Sequence, residues 1–153
     1  MEVLPDSSTI IALAKTGSLD LLRKTFGKIW VTKEVEKEIK KGMSRWIRTL
    51  EAETKAFREL EGLGEGEKSI LSYAKGRKDV LLILDEAEAR AVAEAEGLSY
   101  TGTIGLVIYD CEKGKISREE ALGIIRRLSR SDFRMTVDLY DWALEKLNPG
   151  RRS

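Results

Sequence analysis

Asp6 and Asp85 each follow directly on a short apolar run that reads as a strand, residues 1–4 and 80–84. A carboxylate between a strand and a helix is a place to hold a cation. In a parallel sheet the C-terminal ends of the strands share one edge, and ligands bind there at the topological switch point. If these two strands are neighbours, the two side chains converge. Glu67 stands at the start of an expected helix, after the glycine-rich Gly62-Leu63-Gly64-Glu65-Gly66. Glu38 lies on another helix, one turn beyond Glu34. A pocket of carboxylates alone is a hard-oxygen site that suits Mg²⁺ or Mn²⁺ rather than zinc or copper. Such a site can activate water and stabilise an in-line displacement at phosphorus.

The competing reading is plain. The chain has 26 acidic residues, and most must be solvated surface. Asp6 and Asp85 also stand where a helix N-cap would, a role that needs no metal. Spacing alone leaves both readings open. What is missing narrows the chemistry further. There is no histidine, which removes the commonest general base and any Ser-His-Asp or Cys-His mechanism within the chain. The single cysteine, Cys111, excludes an intrachain disulfide and a multi-cysteine metal site, and is expected to be buried and inert.

The elements that must position these residues alternate. Helical patterns run from Ile10 and from Leu19, stopped by Gly17 and Gly27, with Ser7 or Ser8 as the first cap. A strand is expected at 28–31, a helix capped by Thr32 at 33–41, a short edge strand at 45–50 and a helix at 51–60. A helix at 67–75 precedes the strand at 80–84, a continuous apolar run of the kind buried in parallel sheets. Then come a helix at 86–96, a strand at 98–101, a helix from Gly102 to Tyr109, one opened by the capping box at Ser117, and a last helix at 136–147. Strands alternating with helices predict one α/β domain, residues 1–148, with a mainly parallel central sheet and helices on both faces. Residues 149–153 are expected to fray.

The 153 residues are 42% hydrophobic, enough for one domain with a proper core. Charged residues make up 35%, rich in Lys, Arg and Glu and mixed in sign, a balance that resembles thermophile surfaces. Net charge is only +1, so any basic surface must be local. There is no basic-then-apolar leader, and no apolar run approaches about 18 residues. A soluble, cytoplasmic protein without a membrane partner is expected.

Short phrases in order along residues 3 to 135 carry a resemblance. They include Asp6-Ser7-Ser8, Leu19-Asp20-Leu21-Leu22, Thr32-Lys33-Glu34-Val35-Glu36-Lys37-Glu38-Ile39, Leu63-Gly64-Glu65-Gly66-Glu67, Leu84-Asp85-Glu86, Ala89-Arg90 and Gly102-Thr103-Ile104-Gly105. The chain resembles PIN domains, the nuclease fold of VapC-type toxins. The resemblance implies a three-layer α/β/α fold and Mg²⁺- or Mn²⁺-dependent cleavage of single-stranded RNA. It implies a metal pocket of Asp6, Glu38, Glu67 and Asp85, with Thr103 orienting a water or phosphate. Glu34 is the alternative to Glu38, and Glu86 adjoins Asp85. Arg90 is either a carboxylate's partner or a phosphate contact. A small antitoxin protein and a homodimer are the partners implied besides RNA. A PIN-like module that binds RNA or protein without cutting is the alternative function. Pro5 departs from the pattern, since the family usually has an aliphatic or small residue there. A missing N–H suits a sheet edge or a strand end.

Two other signals are set aside. Residues 62–69 nearly spell a phosphate-binding loop, but Glu67 stands where glycine should precede Lys68, and it would repel phosphate. Arg126, Arg127, Arg130 and Arg134 form a modest basic run that reads as a solvated face, and Trp30, Trp46 and Trp142 read as core or interface.

Overall fold

Strand β1 (Glu2–Pro5) leads into helix α1 (Ser7–Lys15), and α2 (Asp20–Phe26) into β2 (Ile29–Val31). Then follow α3 (Lys33–Ile39), β3 (Ile47–Thr49), α4 (Glu65–Ala74) and β4 (Val80–Ile83). The chain closes with α5 (Ala87–Ala95), β5 (Ser99–Thr101), α6 (Thr103–Glu112), α7 (Arg118–Ser129) and α8 (Val137–Leu147). The computed structural model describes residues 1–39, 44–51 and 56–148. The end of the helix expected at 33–41 and the tail expected at 149–153 lie outside those residues.

All described strand pairs are parallel. The order β1-β4-β5 forms one sheet and β2-β3 a second, and β1 lies against β2. Side by side the strands run β3-β2-β1-β4-β5, so the order switches direction between β1 and β4. Pro5 explains why β1 and β2 touch without a ladder. The amides of Glu2 and Asp6 donate to Asp79 and Ile83, on the β4 side. Alternation then turns the nitrogens of Val3 and Pro5 toward β2, where proline has no donor. Pro5 therefore interrupts the β2 side and leaves Asp6 anchored to β4 through a 3.0 Å bond.

Helices flank the sheet on both faces, giving the expected three-layer arrangement. Helices α1, α3 and α4 pack together, as do α6, α7 and α8. Leu4, Ile29, Leu82, Ile83, Leu13, Ile70 and Ile125 are fully buried between the layers. Removing such a side chain costs about 2–5 kcal/mol for Leu or Ile to Ala.

Three expectations are corrected in detail. Helix α4 begins at Glu65, two residues early, because Gly64 is extended (φ −65°, ψ 159°) and serves as its N-cap. In the segment expected to be helical at 51–60, residues 52–55 are outside the described set, and the rest contributes one 3₁₀ turn, Arg58–Leu60. Cys111 is half-buried against the core rather than fully enclosed. The edge strand β3 stands within 45–50, as expected.

Candidate active site

The site is assembled at the C-terminal ends of β1 and β4. Asp6, one residue past β1, is 3% exposed and caps α1. Its Oδ1 accepts the Ser7 amide at 2.7 Å, and its Oδ2 accepts the Ser8 hydroxyl at 3.1 Å. The cap is thus Asp6 and not Ser7 or Ser8; those hydroxyls serve the carboxylates instead. Ser7 Oγ lies 3.1 Å from Glu38 Oε2 and 3.4 Å from Asp6 Oδ1, so one hydroxyl spans two acids. Burial is the largest cause pushing the Asp6 pKa up. The bonds from Ser7 and Ser8 oppose the rise, and Glu38 adds to it.

Glu38 arrives on α3, which is fixed by a relay of hydroxyls. Thr32 Oγ1 caps the helix by accepting the Val35 amide at 3.1 Å. It lies 2.6 Å from Ser69 Oγ, which donates to the Gly66 carbonyl at 2.6 Å. With the Ser69 proton used there, Thr32 must be the donor between the two. The relay ties the start of α3 to the start of α4. It sets Glu38 over Gly66, where a Cβ would fall 1.9 Å from Glu38 Oε1. Glycine at 66 leaves the space that this carboxylate fills.

Glu67 is the third residue of α4. Its Oε1 accepts weakly from the Gly64 amide at 3.4 Å, while Oε2 is buried with no partner among the described residues. Burial is the largest cause raising its pKa, followed by the charge of Asp6; Glu86 and Glu38 add to it, against the Gly64 bond. An orphaned buried oxygen beside two further carboxylates is costly unless something positive meets it. Asp6, Glu38 and Glu67 line one cleft of about 450 Å³ together with Glu86 and Glu88, and among the described residues no Lys or Arg lines it. Glu34 is not part of that lining.

Asp85 is placed differently. Its Oδ1 accepts the Thr103 amide at 2.8 Å, and its Oδ2 accepts the hydroxyls of Thr103 at 2.6 Å and Thr9 at 3.1 Å. It therefore caps α6 across the sheet edge rather than α5, whose N-cap is Glu86. Gly102 lets it come close, since a Cβ there would stand 3.1 Å from Asp85 Oδ1. Thr103 is fully buried, and its donors are spent on Asp85. It orients that carboxylate rather than facing the cleft. Asp85 borders the neighbouring cavity, and Glu86 borders both. Arg90 lies 5.3 Å from the Tyr100 ring centroid, a cation–π contact.

Among the described residues, no three acidic side chains are drawn close enough to form a ready cation cage. Asp6 and Glu38 each accept from a hydroxyl, and Glu67 from a backbone amide. The donor chemistry still fits a hard divalent ion: carboxylates only, an unsatisfied Glu67 oxygen, and a glycine that clears space for Glu38.

Some polar groups went unread in the sequence. Glu88 in the cleft lining carries no signal in a helix full of acids. Thr9 belongs to the hydroxyl run after Asp6, and its bond to Asp85 joins segments far apart in the chain. Asp110 is fully buried in α6, with Oδ1 unpartnered and its other oxygen bonded by Thr25; burial pushes its pKa up. Of the basic run, Arg127 is tied to Thr16 O at 2.9 Å and Ser18 Oγ at 3.1 Å.

Fold and site define a parallel α/β/α domain whose switch point opens onto an all-carboxylate cleft. A family model described as DUF3368: PIN domain matches residues 2–149, and the chain belongs to this PIN-domain family. Membership supports a general nuclease or RNA-binding role. No curated protein and no solved structure matches the chain. No described helix is long and apolar enough to cross a membrane.

Proposed function

We propose that the chain is an endoribonuclease that cuts single-stranded RNA with Mg²⁺ or Mn²⁺ held by Asp6, Glu38 and Glu67. The observation that carries this reading is the buried Glu67 Oε2, which has no partner among the described residues, in a cleft shared with two further carboxylates and lined by no described Lys or Arg. A bound divalent ion supplies Lewis acidity, which makes a coordinated water more acidic and offsets charge at phosphorus. The chain's own residues do the rest. Ser7 and Ser8 orient Asp6 and Glu38 by hydrogen bonding. Gly66 admits the Glu38 carboxylate. Asp85 stands as the fourth acid, aligned by Thr9 and Thr103 at the edge of the neighbouring cavity. Glu86, between the two cavities, is placed to assist it.

The experiment is cleavage of a labelled single-stranded RNA. Exhaustive chelation should abolish it, and Mg²⁺ or Mn²⁺ should restore it. Full cleavage in the chelated buffer overturns the metal-dependent reading. The second reading is a PIN-type module that binds without cutting. It draws on the commitment of both Asp85 oxygens to threonine donors. It is favoured if RNA binds in Mn²⁺ and is never cut.

A further inference from the structure

The acidic cleft has a neighbour of different character. Past Ser8 and Glu86, which border both, lies a second cavity of about 340 Å³. That volume falls within the range of small-ligand pockets, about 300–1,000 Å³. Ile11 and Phe133 give it apolar walls, and Lys15 and Arg134 bring positive charge to it beside the carboxylates of Asp85, Glu86 and Asp132. Ile11 is a large apolar side chain of α1 left 36% exposed. Phe133 sits in the connection between α7 and α8, half-buried against the core. That connection is pinned: the Phe133 amide donates to Ser131 Oγ at 3.1 Å, and this hydroxyl donates to Leu128 O at 2.7 Å. The ring is therefore carried on an ordered turn.

The two cations are held loosely. Lys15 lies 3.5 Å from Asp132, with 61% and 96% of the side chains exposed; Arg134 lies 3.9 Å from Glu86, with 85% and 42% exposed. Exposed pairs of this kind contribute little and can be exchanged for another anion. Among the described residues the acidic cleft is lined by no Lys or Arg, whereas the cavity next door carries two, so a polyanion seated across both finds described positive contacts there. Single-stranded RNA is read by unstacked bases laid on aromatic side chains, while lysine and arginine position the phosphates.

We propose that this second cavity is a nucleobase subsite. It takes one base of single-stranded RNA, from the nucleotide beside the phosphate at the acidic cleft. The base lies against Phe133 and Ile11, and Lys15 and Arg134 meet the backbone. The assignment rests on the ribonuclease reading for its ligand. Its shared border with the acidic cleft is what favours RNA over a peptide.

The test reads binding rather than cleavage. Asp6→Asn protein in Mn²⁺ is titrated into labelled single-stranded oligoribonucleotides, each with one position made abasic, and anisotropy gives Kd. One position should matter: loss of its base should weaken binding about tenfold. Phe133→Leu and Ile11→Ser should each weaken the intact oligonucleotide by a similar factor. Either change should also remove the sensitivity to that one abasic position. Ile11→Ser is at the surface, so it keeps the test valid if Phe133→Leu unfolds. Equal Kd at every abasic position, a positional effect unchanged in both variants, or no RNA binding would each overturn the subsite. Failure of wild-type protein to cut RNA would sink the ribonuclease reading alone, because the base-dependent binding does not require cleavage.

Discussion

Asp6 caps a helix and, under the proposed function, also holds a metal, and the two tasks separate by substitution. As a cap it holds the Ser7 amide, and asparagine caps a helix about as well as aspartate. As the proposed metal ligand it would need its charge. Asp6→Asn should therefore fold, yet lose roughly 100-fold or more in cleavage, each tenfold being about 1.4 kcal/mol of barrier. Melting without metal should hold or rise, since one of several like charges is gone. The pH dependence has a definite sign. Asp6 and Glu67 have raised pKa values in the folded protein, so the folded state binds their protons more tightly. Their contribution to stability is full below the unfolded values near about 4 and is lost as pH rises through the folded ones. Metal-free wild type should thus melt higher as pH falls from neutral toward that range. Asp6→Asn should flatten this rise, while the same-sign contribution of buried Asp110 remains in both proteins. Asp85→Asn should behave otherwise. Its amide group would face a threonine donor, at a cost of about 1–3 kcal/mol for a buried mismatch. A thermal melt of the two variants side by side checks this: equal melting temperatures would mean that Asp85 is not a structural cap.

At the scale of elements, the start of α4 is the sharpest case. Gly66→Ala should improve the helix by up to about 1 kcal/mol. The new Cβ would also displace the Glu38 carboxylate and press on Val35 Cγ2 at 3.3 Å. The expected outcome is a melting temperature held or slightly raised, with cleavage down about tenfold or more. Unchanged kcat/KM would show that Glu38 does not need its place over Gly66. Glu36→Gln is the control on α3, because Glu36 faces Thr49 of β3 and an amide oxygen can still accept that hydroxyl. Much of this scale was legible. The apolar run at β4, the Thr32 and Ser117 caps and the alternation of strand and helix are local patterns, and they fold as they read. The start of α4 was misread because three glycines look like a flexible turn, whereas Gly66 is helical and small for the sake of Glu38. The direction of Asp85 was not legible at all. It depends on Thr9, 76 residues away in sequence, and on the free amide at the start of α6.

Across the whole molecule, a net charge of +1 conceals a separation of charge. Five acids border one cleft, while Arg23, Lys28, Arg45 and Arg48 line a groove of their own beside Trp46. Composition could announce neither, because both depend on which segments meet. The described ion pairs are likewise pairs that share no member, each with at least one well-exposed partner. Exposed pairs of this sort are worth about 0–1 kcal/mol each. The proposed divalent ion is a different matter, since it would bind the folded cleft and not the unfolded chain. At a hundredfold excess over Kd it should add about 2.7 kcal/mol of stability. For a chain of this size that is a rise of roughly 5–10 °C in Tm. The same titration on Glu67→Gln should give a much smaller rise.

The most direct measurement is diffraction from crystals soaked in Mn²⁺, with the anomalous signal of the metal located in the map. A peak within coordination distance of Asp6, Glu38 and Glu67 is the predicted result, with Glu67 Oε2 turned onto the ion. A saturating soak that leaves this cleft without a peak, or places manganese away from all three carboxylates, would contradict the site.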